Sequence, residues 1–383
     1  MLKIFMTGDN HFGKRYDRYP EIRKRLVDSR FECLDDMVKR AEEEQCELFV
    51  VTGDLFDHTN TVSVADVKRA VKSLSEFPRT VLVLPGNHDY YTGEEKVWKH
   101  FEKELSSVEN NIVLLNEFKV YPYEFHEEKV CIYPAFCQSK HAKENNLGWI
   151  RDLDRPEENA IHIGIAHGAL KGVTPDLNQE YFLMTEKELL DIPMDLWLIG
   201  HTHIPYPADI PTEESEITGC RIFNAGTHEQ LDLHNRTEGN GFILTVEKQG
   251  AKTQVSAKRF VSGKIRFFDK NLHVRPTSET ALADTLKGEF KDIAKANAIV
   301  RVCLTGSVRQ EEYEKRGEIY REIFSDCLSF EVKDGELSEE ITLEKIYSEY
   351  AQTSFAAKFM ERLTGNPAEM QMAYELLKEC EEG

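Results

Sequence analysis

Leu2–Phe12 reads LKIFMTGDNHF, a short apolar run that ends in a glycine and is followed at once by Asp9 and His11. Four more pieces repeat this design: LFVVTGDLF at 48–56, VLVLPGNHD at 81–89, IHIGIAHG at 161–168 and LWLIGHTH at 196–203. Runs of this length, rich in Val, Ile, Leu and Phe, are typical of buried strands covered on both faces by helices. The sequence therefore predicts an α/β core.

The polar side chains all follow the carboxyl ends of these predicted strands. In open α/β sheets, functional groups collect at that edge, so residues far apart in the sequence can meet there. Asp9 and His11, like His201 and His203, are two residues apart and can reach one site from an extended segment. Glycines that allow a sharp turn stand just before the polar residues: Gly8, Gly53, Gly86 and Gly200. Carboxylates, an amide and imidazoles form the mixed oxygen and nitrogen ligand set that suits two divalent metal ions, most simply Mn²⁺.

Taken in this order, the five pieces resemble the signature of the calcineurin-like metallophosphoesterases across roughly the first 265 residues. The resemblance implies a metallophosphoesterase core of packed β-sheets flanked by helices. It assigns one metal to Asp9, His11, Asp54 and His203, and the other to Asp54, Asn87, His167 and His201. Asp54 would then bridge the two ions.

Two cations about 3.5–4 Å apart can hold a bridging hydroxide and clamp a phosphate for in-line attack. His88 follows the ligand Asn87 without being assigned as a ligand, so we predict that it stabilises developing charge or protonates the leaving oxygen. Asp89 is predicted to fix the tautomer of His88 or to support the site from the second layer of contacts.

Two further histidines have two readings each. His58 lies close to the place where some DNA-repair nucleases of this superfamily have an active-site histidine, three residues after the bridging aspartate. Here Asp57 occupies that place and the histidine comes one residue later, so a catalytic His58 is one reading and a surface residue the other. His228 follows Gly226 in a turn. It either lines the site or serves the turn alone.

Composition limits the class of protein. The 383 residues are enough for more than one domain, and the eight scattered cysteines contain no Cys-x-x-Cys pair. This argues against structural zinc and a disulfide framework and favours a reducing compartment. No apolar run approaches the roughly 20 residues that span a bilayer, and Met1–Ile4 already belongs to a core strand rather than a signal peptide. We expect a cytoplasmic protein without a membrane partner.

A formal net charge of −20 is unusual for a protein that binds nucleic acid. Residues 14–30 are a local exception, because seven Lys and Arg residues are interleaved there with two tyrosines directly after the first metal ligands. Cations can neutralise phosphates and aromatic rings can stack on unpaired bases. The predicted DNA-binding residues are Lys14, Arg15, Tyr16 and Arg18. The alternative is a solvated loop and helix face.

Beyond the last predicted core strand, Gln254–Val261, the composition changes. We predict a linker at Asp269–Pro276, a helix at Ser278–Ala296, a strand at Ala298–Leu304, a helix at Glu311–Phe324 and a strand at Leu328–Val332 before an Asp334-Gly335 turn. The predicted domains are a metallophosphoesterase (nuclease) domain at 1–268, a small α+β domain at 269–345 and C-terminal helices at 346–383. The layout of the second resembles the cap or DNA-binding domain of SbcD-type nucleases.

Two apolar stripes at helical spacing run through the last 35 or so residues. They are Ala356, Phe359, Met360, Leu363, and then Met370, Ala373, Tyr374, Leu377. The stripes either pack on their own domain or dock a partner coiled coil. His11-Phe12-Gly13 and the first crossover helix also resemble SbcD-type DNA-repair nucleases, which implies DNA and an SMC-like coiled-coil ATPase (SbcC-type) as partners, with homodimer formation left open.

The resulting hypothesis is a Mn²⁺-dependent exonuclease or endonuclease that processes DNA ends. One alternative is a small-molecule phosphodiesterase or phosphoprotein phosphatase on the same core. A second is a non-catalytic scaffold of a repair complex. Neither alternative explains both the intact ligand set and the additional C-terminal third of the chain.

Overall fold

The structure is a computed structural model that describes residues 1–126, 128–153, 159–173, 178–208, 215–250, 252–275 and 281–382. Its backbone contacts divide the chain into two compact units, Met1–Arg266 and Phe267–Gly383. No described helix is both long enough and apolar enough to cross a bilayer.

The first unit alternates strands and helices along most of its length. Its strands are β1 (Leu2–Thr7), β2 (Leu48–Val51), β3 (Thr80–Val83), β4 (Ile112–Leu114), β5 (Tyr121–Phe125), β6 (Glu128–Ala135), β7 (Ile161–His167), β8 (Leu196–Gly200), β9 (Glu216–Thr218), β10 (Ile222–Asn224), β11 (Asn240–Gln249) and β12 (Lys252–Val261). Its helices are α1 (Arg23–Glu43), α2 (Val64–Ser75), α3 (Lys96–Leu105), α4 (Gly148–Arg151) and α5 (Glu186–Asp191). All five strands predicted ahead of the polar clusters are present.

These strands form two sheets, ordered β4-β3-β2-β1-β11-β12-β9 and β10-β8-β7-β6-β5. Strands β1 to β4 are parallel to one another, as are β6, β7, β8 and β10, while β11 runs antiparallel to β1. The carboxyl ends of β1, β2 and β3 therefore share one edge of the first sheet. Those of β7 and β8 share one edge of the second.

The two sheets pack face to face. Ile4 and Val50 of the first sheet and Ile163 and Leu198 of the second belong to one buried apolar cluster. The outer face of the first sheet packs on α1, α2 and α3, and the outer face of the second on α4 and α5. The α/β prediction is confirmed, but helices cover only one face of each sheet. An apolar run indicates that a strand is buried, but it does not indicate whether a helix or a second sheet covers the strand.

The second unit contains a three-stranded sheet, ordered β13-β14-β15, with two helices. Its elements are β13 (Arg266–Val274), α6 (Leu282–Glu289), β14 (Ala298–Val308), α7 (Gln310–Phe324) and β15 (Ser329–Glu339). The predicted linker is wrong as far as Val274, because those residues form β13. The predicted Asp334-Gly335 turn is also wrong, because both residues lie within β15. Pro276 and the predicted start of the first helix lie outside the described residues.

Three helices end the chain: α8 (Leu343–Glu349), α9 (Phe355–Arg362) and α10 (Pro367–Glu382). Ile346, Met360 and Met370 form their common buried core. The second predicted stripe packs into this core, whereas of the first stripe only Met360 and Leu363 do. Two apolar pairs, each spaced i to i+4, remain exposed: Phe355 (80%) with Phe359 (39%), and Met372 (65%) with Leu376 (55%).

Candidate metal centre

The predicted metal ligands lie at the strand ends described above. Five of them adopt a left-handed backbone conformation, with φ between 47° and 100°: Asp9, His11, Asp54, His201 and His203. An L-residue in this region is strained by about 1–2 kcal/mol. Such strain persists where the surrounding structure fixes the backbone, and it is concentrated at functional sites.

The first cluster contains Asp9, His11, Asp54 and His203, whose ligand atoms lie within 4.8 Å of one another. Nε2 of His11 is 3.0 Å from Nε2 of His203 and 3.7 Å from Oδ2 of Asp54. Nε2 of His203 is 3.7 Å from Oδ1 of Asp9. These four are the residues that the family resemblance assigns to the first metal.

The second cluster contains Asp54, His167 and His201. Nε2 of His167 lies 3.3 Å from Oδ2 of Asp54, and Oδ1 of Asn87 lies 3.1 Å from Nε2 of His167 and 2.9 Å from Nδ1 of His201. The amide of Asn87 is oriented by its own donor, which bonds to the carbonyl of Lys140. Asp54 belongs to both clusters.

The donor atoms of this site fit divalent metal ions. Ligand atoms that share one ion at about 2.0–2.2 Å lie roughly 3 to 3.5 Å apart, close to the spacing of the nitrogen and oxygen atoms above. The buried Oδ2 of Asp54 lies close to an imidazole nitrogen from each cluster, 3.7 Å from Nε2 of His11 and 3.3 Å from Nε2 of His167. A shared carboxylate between two groups of imidazoles is a buried Asp/His metal-binding site suited to two divalent ions.

Two glycines make room for this convergence. A Cβ at Gly53, which has a φ of 101°, would lie 2.1 Å from Nδ1 of His167, and a Cβ at Gly86 would lie 2.2 Å from Oδ1 of Asp54. Any larger residue would displace a ligand. The glycines therefore serve close approach of ligands, as the sequence predicts.

Burial controls the charge of the ligands. It raises the pKa of Asp9 above its ordinary value, and it lowers the pKa of His201 to about 3 and that of His203 well below its ordinary range. The imidazoles of His201 and His203 are therefore neutral, with lone pairs available to a metal. At His167 burial is outweighed by the charge of Asp54, which raises the pKa to about 9, so a metal bound there would displace a proton. His167 is oriented by a hydrogen bond of 2.9 Å from its Nδ1 to the carbonyl of Thr52, which directs Nε2 into the site.

His88 lies beside the first cluster and is partly exposed. Its backbone N–H donates to Oδ1 of Asp54 at 2.8 Å, and its Nδ1 lies 3.1 Å from the carbonyl oxygen of Asp57, to which it donates. The ring packs edge-on against that of His11, with centroids 4.8 Å apart. Because the carbonyl occupies Nδ1, Nε2 is the atom of His88 left to exchange a proton with substrate.

Asp89 is fully buried, and its carboxylate accepts hydrogen bonds from backbone N–H groups rather than facing a substrate. Oδ1 accepts from the N–H of Gly86 at 2.6 Å, and Oδ2 accepts from the N–H of Phe56 at 2.9 Å. Of the two roles predicted for Asp89, these contacts agree with support of the site. The predicted control of the His88 tautomer is corrected, because the carbonyl of Asp57 holds that ring.

We expect Asp89→Asn to weaken metal binding about 10–100-fold, the usual effect of losing a group that supports ligands. An asparagine side chain has one acceptor oxygen, so one of the two backbone N–H groups would lose its partner and the Asp54 and Asn87 loops would separate. Titration with Mn²⁺ measures the effect. An unchanged affinity would contradict the positioning role.

The structure does not bring His58 and His228 into the clusters. His58 is exposed, and its Nδ1 accepts from the backbone N–H of Asn60 at 3.1 Å. The catalytic reading of His58 is therefore corrected to a loop residue. His228 is fully buried, and its Nε2 donates to the carbonyl of Arg30 at 2.9 Å. The geometry therefore supports the interpretation that His228 serves the turn.

The basic segment is divided between exposed and buried residues. Arg15 and Arg18 are exposed and form no ion pair in the described part of the chain, and Lys14 is partly exposed. Tyr16 is different, because only 7% of it is exposed and its hydroxyl accepts from Nη1 of Arg30 at 3.3 Å. The base-stacking assignment of Tyr16 is therefore corrected, since its ring is packed in the interior.

Two residues near the site escaped the sequence argument. Oδ1 of Asp57 lies 3.3 Å from Nδ1 of His11, and only its place after Asp54 hinted at a role. The ring of Tyr181 lies 5.1 Å from that of the ligand His201 and 5.0 Å from that of the exposed His141. No motif marks Tyr181, which lies outside the five clusters.

Comparison with known proteins agrees with this geometry. A family model described as calcineurin-like phosphoesterase matches residues 2–205, just over half of the chain. The chain therefore belongs to the calcineurin-like phosphoesterases, and it is a metal-dependent phosphoesterase by family and by site.

The uncharacterized metallophosphoesterase YhaO of Bacillus subtilis is 28% identical over 212 residues, which are 53% of this chain and 48% of that protein. The chain thus spans about half the length of this relative. Among solved structures, the calcineurin-like phosphoesterase YfkN of Bacillus subtilis matches with a TM-score of 0.40 and 14% identity, over 68% of this chain and 90% of that one. A dimetal phosphatase from Danio rerio matches with a TM-score of 0.37 and 12% identity, over 67% and 98%. None of these three is described as an SbcD-type nuclease.

Proposed function

We propose that this protein is a Mn²⁺-dependent phosphodiesterase that cleaves DNA, related in function to the SbcD-type end-processing nucleases. The observation that carries the chemistry is the pair of Asp/His clusters that share Asp54. Mixed oxygen and nitrogen donors favour a borderline ion such as Mn²⁺ over Mg²⁺, which prefers oxygen.

Different residues of the chain have different roles in the proposed hydrolysis. When bound, two divalent cations supply Lewis-acid polarisation of the phosphate and an activated water. Asp54 offsets the repulsion between the two positive charges. His88, held at Nδ1 by the carbonyl of Asp57, gives a proton from Nε2 to the leaving 3′ oxygen. Asp89 keeps the Asp54 and Asn87 loops together.

Two features next to the metal centre support a nucleic acid as substrate. Arg15 and Arg18 are exposed, lack ion-pair partners in the described part of the chain, and lie within seven residues of His11. At the second cluster, Tyr181 and His141 continue from His201 as a series of neighbouring rings that ends at the exposed His141. Single-stranded nucleic acids are bound by a combination of cations and aromatic rings.

We expect Tyr181→Ala to lower kcat/KM for a single-stranded oligonucleotide by about 10-fold, since stacking on an aromatic side chain is worth about 1–3 kcal/mol per base. Tyr181→Phe keeps the ring and should remain within about twofold of wild type. Steady-state cleavage assays with both variants measure this. Equal losses in the two variants would show that the hydroxyl, and not base stacking, matters.

One observation favours a small phosphodiester instead. Arg23, Lys24 and Arg25 of the basic segment are paired with acidic side chains, and Tyr16 is buried, so fewer groups remain for a long polyanion. Comparing Mn²⁺-dependent rates on single- and double-stranded DNA with the rate on bis(nitrophenyl) phosphate separates the two readings. Activity on the aryl ester alone would favour the small-molecule enzyme.

The proposal includes an SMC-like coiled-coil ATPase as partner and a cytoplasmic location, where the eight cysteines would stay reduced. The exposed pairs Phe355 with Phe359 and Met372 with Leu376 support the partner, because an i to i+4 apolar pair is what a helix offers to another helix. The second predicted stripe and two residues of the first, Met360 and Leu363, pack inside the helical module. The 269–345 region as a DNA-contacting cap also stays a proposal.

We expect the neighbouring genes to encode a large coiled-coil ATPase whose coiled-coil base copurifies with this chain. The double variant Phe355→Glu with Phe359→Glu should weaken that complex at least about 10-fold, since it places two charges in an apolar contact. Leu190→Glu, at another exposed apolar position, is the matched control. Equal binding by both variants would exclude α9 as the docking element.

A further inference from the structure

Arg30 lies within the basic segment, yet it is a buried residue. Only 2% of it is exposed, and it forms no ion pair in the described part of the chain. Burying an unpaired guanidinium costs several kcal/mol unless polar groups compensate. The acceptors that surround the guanidinium therefore indicate the role of Arg30 in the structure.

These acceptors belong to separate loops. Nε and Nη2 both donate to the carbonyl of Asn10, the former at 3.0 Å. Nη1 donates to the carbonyl of Glu229 at 3.2 Å and to the hydroxyl of Tyr16 at 3.3 Å. One side chain on α1 thus connects three segments. They are the loop of the ligands Asp9 and His11, the loop that carries Lys14, Arg15 and Arg18 (the cationic loop), and the 228–230 turn. Groups that join loops in this way fix backbone geometry more firmly than local bonds do.

Asn10 stands between the ligands Asp9 and His11, whose φ angles of 49° and 47° are both left-handed. The neighbouring peptides are held by the carbonyls of Gly53 and Asp54, which accept from the N–H groups of Asp9 and His11. The carbonyl of Asn10 is held by Arg30. Without this two-armed bond, the carbonyl of Asn10 would lose both of its Arg30 donors, and the strained segment that carries the ligands Asp9 and His11 would be held less firmly.

Resting on the proposed two-metal function, we propose that Arg30 is a positioning residue that fixes the Asp9–His11 loop for the first metal and, through Tyr16, aligns the cationic loop with it. Arg30 does not contact substrate. The second cluster shares Asp54 with the first, but its other residues, Asn87, His167 and His201, follow β3, β7 and β8, and in the described part of the chain they form no hydrogen bond to Arg30.

The test is a two-site Mn²⁺ titration of the full chain by calorimetry and electron paramagnetic resonance, with melting curves in EDTA. Arg30→Met removes the donors, and Arg30→Lys keeps the charge but not the two-armed donor. Both should weaken one Mn²⁺ site about 10–100-fold while the other stays within about threefold. Excess Mn²⁺ should restore kcat. Lys39→Met, at a side chain on α1 that is 75% exposed, should match wild type.

Equal weakening of both sites with a lower melting temperature would mean a merely structural role and would overturn the inference. Unchanged affinities in both variants would overturn it as well. Should the methionine variant fail to fold, the lysine variant decides between these outcomes. Failure of the wild-type chain to bind two Mn²⁺ would overturn the proposed function and this inference together, whereas normal wild-type binding with unaltered variants would overturn the inference alone.

Discussion

Asp54→Ala should lower phosphodiesterase activity by about three orders of magnitude or more, the scale on which removal of one member of a catalytic unit acts. Oδ2 of Asp54 lies 3.7 Å from Nε2 of His11 and 3.3 Å from Nε2 of His167, so its loss removes a ligand from both metals at once. Metal analysis of the purified variant should find both ions depleted.

The control for this change is Asp35→Ala, an exposed carboxylate on α1. It should keep two ions and wild-type rates. If Asp54→Ala lost activity but kept both ions at wild-type affinity, the bridging role would be wrong. Circular dichroism of both variants shows that the comparison is made between folded proteins.

His88→Ala should reduce kcat on DNA by about 10²–10⁴-fold, the usual contribution of a general acid, and leave metal content unchanged. The reason lies in the leaving group. A 3′ alkoxide needs a proton to depart, whereas a nitrophenolate departs without one. The loss on bis(nitrophenyl) phosphate should therefore be much smaller than the loss on an oligonucleotide, and paired kcat measurements reveal the difference.

Equal losses on the two substrates would contradict proton donation and assign His88 to charge stabilisation instead. His58→Ala provides the comparison, because its ring is exposed and bonded to Asn60. It should stay within about twofold of wild type. A large effect of His58→Ala would reinstate the sequence-based reading of that histidine.

The strand-end clusters were predictable because their signal is local. A short apolar run followed by a ligand specifies both a buried strand and the loop beyond it, and the family match and the buried Asp/His site support the same interpretation. The packing of the two sheets was not predictable in this way. Residues that cover a strand come from distant parts of the chain, and nothing within the strand records whether they belong to a helix or to a second sheet.

The basic segment shows the same limit at single residues. Lys14 to Arg30 has one composition throughout, yet Arg18 is exposed and Arg30 is buried. Arg30 is buried among acceptors that include the carbonyl of Glu229, 199 residues away in sequence. Tyr181 was missed for a related reason, since a ring contact with His201 relates it to the site and no sequence motif marks it. β13 was mistaken for a linker because three consecutive polar residues, Asp269, Lys270 and Asn271, interrupt its apolar pattern and a proline, Pro276, follows it.

The most direct test of the central claim is the rate at which the purified chain, with two Mn²⁺ bound, cleaves a single-stranded oligonucleotide. We predict cleavage that disappears with EDTA, returns with Mn²⁺ and is absent in Asp54→Ala. A chain that binds two Mn²⁺ and hydrolyses bis(nitrophenyl) phosphate but leaves single- and double-stranded DNA intact would contradict the account.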